Sequence, residues 1–209
     1  QVVTGDMTDG FVITNTYAPK IIITANSAEK TYDGTALTDA DYTYTEGILA
    51  AGDVLTAVVE GSIINAGTAD NVVTSYQVMR GETDVTSFYT ISTVNGTLTI
   101  NKKAVTITVD NASKVYGEDD PTFIGTVVGL VGSDDLGTVS YSRIGSDENV
   151  GAYIGVLTAT YTANPNYEVT VVPGDFTITA ASTMTVSAEN VVKTYDGNSY
   201  GVSATSNVE

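Results

Sequence analysis

Lys30-Thr31-Tyr32-Asp33-Gly34 returns as Lys114-Val115-Tyr116-Gly117 and again as Lys193-Thr194-Tyr195-Asp196-Gly197, at intervals of 84 and 79 residues (30 to 114, 114 to 193). Each copy follows an alternating run of strand-forming residues: Ile21-Ile22-Ile23-Thr24, then Val105-Thr106-Ile107-Thr108-Val109, then Met184-Thr185-Val186. A pattern that recurs at the size of a small domain predicts tandem modules along one chain. The repeat residues Lys30, Tyr32, Gly34, Lys114, Tyr116, Gly117, Lys193, Tyr195 and Gly197 are its structural marks.

Working outward from these marks gives the organisation. Residues 1–19 hold one strand, Gly10 to Tyr17, closed off by Ala18-Pro19-Lys20, and read as the end of a preceding domain or a linker. Residues 20–101 form the first module, 102–180 the second, and 181–209 the truncated start of a third. Threonine and valine dominate, and both suit a pleated, half-buried surface. The fold class is therefore mostly β, with at most one short helix or 3₁₀ turn per module. Leu130 to Leu136 is the helical candidate, with Ser133 as its cap. The modules close on matching pairs of runs, Tyr89-Thr90-Ile91-Ser92-Thr93-Val94 with Thr97-Leu98-Thr99-Ile100, and Tyr167-Glu168-Val169-Thr170-Val171-Val172 with Phe176-Thr177-Ile178-Thr179. Asn95-Gly96 and Pro173-Gly174-Asp175 stand between them and predict hairpin turns. The joints at Lys102-Lys103 and Ala180-Ala181-Ser182 are too short to act as flexible tethers, so a semi-rigid array is expected.

Composition narrows the function. The 209 residues contain no cysteine, histidine or tryptophan. Thiolate chemistry and disulfides are excluded, and the usual general base near neutral pH is missing. The net charge of −17 repels nucleic acid and anionic membrane surfaces. No apolar run reaches the roughly 18 residues of a membrane span. No secretory signal is visible, and the chain reads as an internal fragment of a longer polypeptide. Acidic groups at Glu118-Asp119-Asp120, Asp134-Asp135 and Asp147-Glu148-Asn149 lack the spacing of a calcium loop. No catalytic, cofactor or metal residues are assigned, and no cofactor is expected.

The repeat residues themselves have a physical reading. A lysine and a tyrosine two apart share a strand face. The ring can be buried with its hydroxyl at the edge, and the lysine stem can lie along it with its ammonium in water. The glycine after them predicts a turn with positive φ or a bulge. This describes a structural corner. The alternative is a covalent lysine–carboxyl or lysine–amide crosslink through Lys30 or Lys114. Eight tyrosines in strand-like runs, at positions 42, 44, 76, 89, 141, 153, 161 and 167, are expected to pack in the core or on sheet surfaces.

Taken together, Lys114-Val115-Tyr116-Gly117, Asp120-Pro121, Gly129-Leu130, Asn149-Val150-Gly151-Ala152-Tyr153, Asn166-Tyr167 and Gly174-Asp175-Phe176-Thr177-Ile178 resemble the MBG repeats of bacterial surface adhesins. The first module resembles the related YDG variant, with Asn65-Ala66-Gly67-Thr68 and Phe88-Tyr89 in the corresponding places. The resemblance implies β-grasp-like modules, an immunoglobulin-like sandwich being the alternative, on the extracellular face of a bacterial cell. It implies a stalk that spaces a distal binding domain from the cell surface, or else direct adhesion to host mucin or extracellular-matrix glycoprotein. Adjacent modules of the same chain are the other partners implied. Residues 10–17 also resemble the last strand of a collagen-adhesin B-type domain, in which the residue matching Asn15 accepts an isopeptide bond from a lysine.

Overall fold

A computed structural model of the chain describes residues 2–4, 12–14, 18–45, 49–182, 185–188, 190–201 and 203–207. These residues are overwhelmingly β. They cluster into two compact units. The first comprises Gln1–Val105, Gly129–Leu136 and Ala163–Val169, and the second Thr106–Val128, Gly137–Thr162 and Thr170–Glu209. Two segments that the repeat assigns to the second module thus belong to the first compact unit.

Near the start, β1 (Val2–Thr4) and β2 (Val12–Thr14) form an antiparallel ribbon. Asn15 lies outside the described residues. The first module then supplies β3 (Lys20–Ala25), β4 (Ala28–Thr31), β5 (Tyr42–Tyr44), β6 (Asp53–Glu60), β7 (Gly67–Arg80), β8 (Thr83–Asp84), β9 (Thr90–Val94) and β10 (Gly96–Asn101). They make two small sheets, ordered β5-β3-β9 and β4-β10-β7-β6, with β8 attached to β7. Strand alternation carries the core: Ile21, Ile23 and Ala25 point inward from β3, and Leu55, Val59, Val73 and Val78 come from β6 and β7. Each of the isoleucine, leucine and valine side chains contributes roughly 1.5–3 kcal/mol by leaving water.

The first and last segments of this module run parallel. Lys20 pairs with Thr90 and Thr24 with Val94 in one sheet. Ala28 pairs with Leu98 and Thr31 with Asn101 in the other. The offset is 70 residues in both, so one continuous pairing passes from sheet to sheet through a kink at Asn26-Ser27. The buried Asn71 holds that kink: its Nδ2 donates to the carbonyls of Asn26 and Asp39, both at 2.9 Å. This parallel adjacency of first and last strands is the order expected of a β-grasp, here divided over two sheets.

The second module repeats the plan with β11 (Lys103–Val109), β12 (Ala112–Val115), β13 (Gly125–Val128), β14 (Ser140–Arg143), β15 (Gly151–Thr160), β16 (Tyr167–Val172) and β17 (Gly174–Thr179). Its sheets are ordered β13-β11-β16 and β12-β17-β15-β14. Strand β12 runs parallel to β17, with Ala112 opposite Phe176 and Val115 opposite Thr179. Phe176 and Ile178 are buried, as are Ile107, Val109 and Leu157. Beyond them β18 (Thr185–Ala188) and β19 (Ala204–Asn207) pair antiparallel.

Two sequence expectations are corrected. Asn95-Gly96 and Pro173-Gly174-Asp175 are not hairpin turns. Strand β9 pairs with β3 while β10 pairs with β4 and β7, so the chain runs on through Asn95 from one sheet into the other. Neither Gly96 nor Gly174 has positive φ. They are glycines because the first segment passes too close for a side chain. A Cβ on Gly96 would stand 2.1 Å from the Asn26 carbonyl oxygen, and one on Gly174 2.7 Å from that of Asp110. The second correction concerns Leu130 to Leu136, which forms no helix. The Asp134 N–H donates to the Val131 carbonyl at 2.9 Å across a tight turn in which Gly132 has φ 55°. The one helical element among the described residues is the 3₁₀ turn Thr86–Phe88 in the first module.

Candidate functional site

The first two copies of the repeat motif occupy a turn that leaves the parallel strand, and the third turns in the same way at Gly197. Lys30 lies in β4 and Lys114 in β12, each one residue short of the strand's end. The next backbone N–H but one continues the ladder in both: Tyr32 donates to the Asn101 carbonyl at 2.9 Å, and Tyr116 to that of Thr179 at 2.8 Å. The glycines then turn the chain, with φ 80° at Gly34, 94° at Gly117 and 80° at Gly197.

The lysine ammonium groups are not left in water beside the tyrosine rings. Lys30 Nζ donates to Asp33 Oδ1 and Thr35 Oγ1, both at 2.7 Å, and to the Thr35 carbonyl at 2.8 Å. It ties the turn to its own strand and holds the Asp33 carboxyl far below the usual range. Lys193 pairs with Asp196 at 2.6 Å in the same way. Lys114 has no aspartate three residues on, and its amine is buried instead in a ring of alternating charges. Nζ meets Asp120 Oδ1 at 2.8 Å and also Glu148 Oε2, while Arg143 bridges the same two carboxylates. The Arg143 guanidinium lies over the Phe176 ring, 4.7 Å from its centroid.

This ring bears directly on the crosslink alternative. Attack by lysine on a carboxyl requires a neutral amine and an acid able to lose hydroxide as water. Here Asp120, then Glu148, push the Lys114 amine pKa up. Lys114, then Arg143, push the Glu148 carboxyl down. Both shifts favour the charged forms, in which the amine has no free lone pair for attack and the carboxylate is a poor electrophile.

Tyr32 and Tyr116, equivalent in backbone, differ in side-chain environment. Tyr32 is 6% exposed and Tyr116 53%. Tyr32 meets the segments Gly129–Leu136 and Ala163–Val169 within the first compact unit. Its ring stands edge-on to that of Tyr167, centroids 5.5 Å apart. Its hydroxyl donates to Asp134 Oδ2 at 2.9 Å, and the Tyr167 hydroxyl donates to the same oxygen at 2.6 Å. The Val131 N–H donates to the Tyr167 hydroxyl at 3.0 Å. Alongside, Ala66 N–H donates to Asn166 Oδ1 at 2.8 Å and Asn166 Nδ2 to Asn65 Oδ1 at 3.2 Å. Burial, then the bond to Asp134, raises the Tyr167 hydroxyl to about 12. The bond to Asp134 raises that of Tyr32 as well.

The first module carries the same tyrosine–aspartate arrangement. Tyr89 Oη donates to Asp53 Oδ2 at 2.5 Å and accepts from Ala50 N–H at 2.9 Å. The Asp53 N–H closes the turn onto the Ala50 carbonyl, as Asp134 does onto Val131. Where Asp134 takes a second hydrogen bond from Tyr32, Asp53 takes a bidentate pair from Arg80, at 2.6 and 2.9 Å. Asp53 and Arg80 carry no mark in the repeat pattern, Asp134 stands in the sequence as one of an acidic pair, and Asn166 as part of the Asn-Tyr element. The signal available was an aspartate 36 residues before Tyr89 and 33 before Tyr167.

Of the other tyrosines, Tyr42 and Tyr44 pack against the first core, and Tyr76 is 40% exposed on β7. Among the described residues no group of three or more acidic side chains is placed to hold a metal ion. Asp120 and Glu148 face Lys114 and Arg143, and Asp134 faces two tyrosines. No curated protein and no solved structure matches the chain. Residues 105–177, the body of the second module, match the family model of the MBG domain of the YGX type.

Proposed function

We propose that this chain is part of the repeat array of a bacterial cell-surface adhesin and serves as a non-catalytic spacer that holds a distal binding domain away from the cell. One observation carries the reading: the repeat lysines are turned onto carboxylates of their own chain, and the first repeat tyrosine into its own compact unit. Lys30 caps its own turn, Lys114 sits in the charge ring, and Tyr32 is sealed against Asp134 and Tyr167. A binding or catalytic centre presents such groups to a cavity. The match of residues 105–177 to the MBG domain supports a surface-protein repeat.

A second reading has its own observation. Val54 and Val58 are 59% and 48% exposed on the outer face of β6, opposite Met79 and Ser75 of β7. That face suits contact with a glycan or a matrix glycoprotein. A glycan array and a matrix-protein pull-down on the full chain separate the two. No saturable binding is expected. Saturable binding that Val54→Asp with Val58→Asp abolishes would replace the spacer reading with direct adhesion.

A further inference from the structure

The register of the two modules makes Tyr116 the counterpart of Tyr32 in a way that sequence spacing alone does not. In the first module Lys30 lies opposite Ile100, and Ile100 opposite Gly67. In the second Lys114 lies opposite Ile178, and Ile178 opposite Gly151. The rows superimpose residue for residue. Tyr32 therefore corresponds to Tyr116, and Asn65-Ala66 to Asn149-Val150. In the first compact unit this corner is a filled socket. The tyrosine hydroxyl and ring, the Ala66 N–H and the Asn65 amide receive Asp134, Tyr167 and Asn166. In the second module the same corner is open, with Tyr116 53% and Val150 55% exposed.

We infer that Tyr116, Asn149 and Val150 form a second socket, whose occupant is the aspartate-turn and Asn-Tyr loop pair of a further module of this YGX type. Three groups define the chemistry of that occupant. A carboxylate takes the tyrosine hydroxyl proton donor, an aromatic edge packs on the ring, and an asparagine amide pairs with the Asn149-Val150 backbone and side chain. A second copy of this chain does not supply it, because its own Asp134, Asn166 and Tyr167 already engage Tyr32. The first module's loop pair does not supply it either, since Asp53 is occupied by Arg80. The inference deepens the array reading by assigning both modules a socket on one corner and the YGX-type module a plug on its loops. Its test does not depend on whether the array binds a host ligand.

The test compares tyrosine nitration by tetranitromethane, read residue by residue by mass spectrometry. In the full chain Tyr116 should be nitrated readily and Tyr32 protected. A second chain joins a repeat copy of residues 102–179 directly after Thr179, as Lys102 follows Asn101. Tyr116 nitration should then slow by about tenfold or more, with Tyr32 unchanged as the internal reference. Asp134→Ala with Asn166→Ala, placed in the appended copy alone, should restore it. Unchanged Tyr116 nitration with Tyr32 still protected overturns the inference. So does a melting temperature of the appended copy that Tyr116→Ala leaves unmoved, a readout that holds even if nitration is incomplete.

Discussion

Replacing Gly96 with alanine tests the path of the chain through the module. The backbone there has ordinary negative φ, so alanine meets no conformational penalty. What it meets is three backbone atoms of the first segment: the Asn26 oxygen at 2.1 Å, the Ala25 oxygen at 2.6 Å and the Asn26 carbon at 2.6 Å. Main-chain atoms cannot rotate aside, so the two parallel segments must part by about 1 Å at the kink, an overpacking cost of typically 1–3 kcal/mol. Parting them also weakens the Thr97 N–H to Ser27 Oγ bond at 2.9 Å. It loosens the Asn71 clamp on Asn26 as well. Each such hydrogen bond is worth about 1 kcal/mol net. Alanine restricts the unfolded chain, which returns about 0.4–1 kcal/mol. The balance is a loss of about 2–4 kcal/mol. In a module of this size that lowers the melting temperature by about 10–20 °C. Urea and thermal unfolding of Gly96→Ala against Asn95→Ala give the measurement. Asn95 has only an exposed 3.5 Å contact with Asp70, so its replacement should cost little. A Gly96→Ala melt within about 0.5 kcal/mol of the parent, or an Asn95→Ala loss as large as that of Gly96→Ala, refutes the close-approach account and restores the hairpin.

Acid should weaken the fold in a defined window. Arg80 and Tyr89 hold Asp53 below its ordinary value, Lys114 and Arg143 do so for Glu148, and Gln77 with Thr86 lowers Asp84 to about 2. Their contribution is complete above the normal carboxylate range and disappears as pH falls through the depressed values, so melting temperature should drop steadily from about pH 4 downward. The tyrosines set the opposite limit: with Tyr167 raised to about 12, its contribution is intact below pH 10 and lost as pH climbs towards 12, visible as a late phase in spectrophotometric titration. Tyr167→Phe removes a buried donor to Asp134 and an acceptor for Val131, and should cost about 1–2 kcal/mol in urea unfolding. Phe176→Ala, at a fully buried site, should cost about 3–5 kcal/mol and abolish cooperative unfolding of the second module's signal. The intact mass should equal that of the sequence, with neither one ammonia nor one water missing.

Strand content and the repeat were legible because they rest on local alternation, visible in runs such as Ile21 to Thr24 and Val105 to Val109. The topology at the module's end was not. Asn-Gly between two alternating runs carries the same local pattern whether the glycine turns the chain or admits a neighbouring backbone. Only the partner at Asn26, some seventy positions away, decides between them. The corner shows the same limit. The motif marked Lys30 and Lys114 as equivalent, and their backbones are. The side chains diverge because Asp33 is available to the first, whereas Asp120 and Glu148 come to the second from elsewhere in the chain. Asp134 stayed hidden for the same reason: beside Asp135 it looked like one more surface acid, and its value lies in two tyrosines more than thirty and a hundred residues distant.

The parallel pairing of each module's opening and closing segments sets how it answers tension. A pull on the two termini draws Lys20–Thr31 and Thr90–Asn101 in opposite directions along their shared axis. The rungs between them are loaded in shear, together, so none can be peeled before the rest. Antiparallel termini would unzip one rung at a time under far smaller force. Force along the chain would thus meet a clamp in each of the two modules.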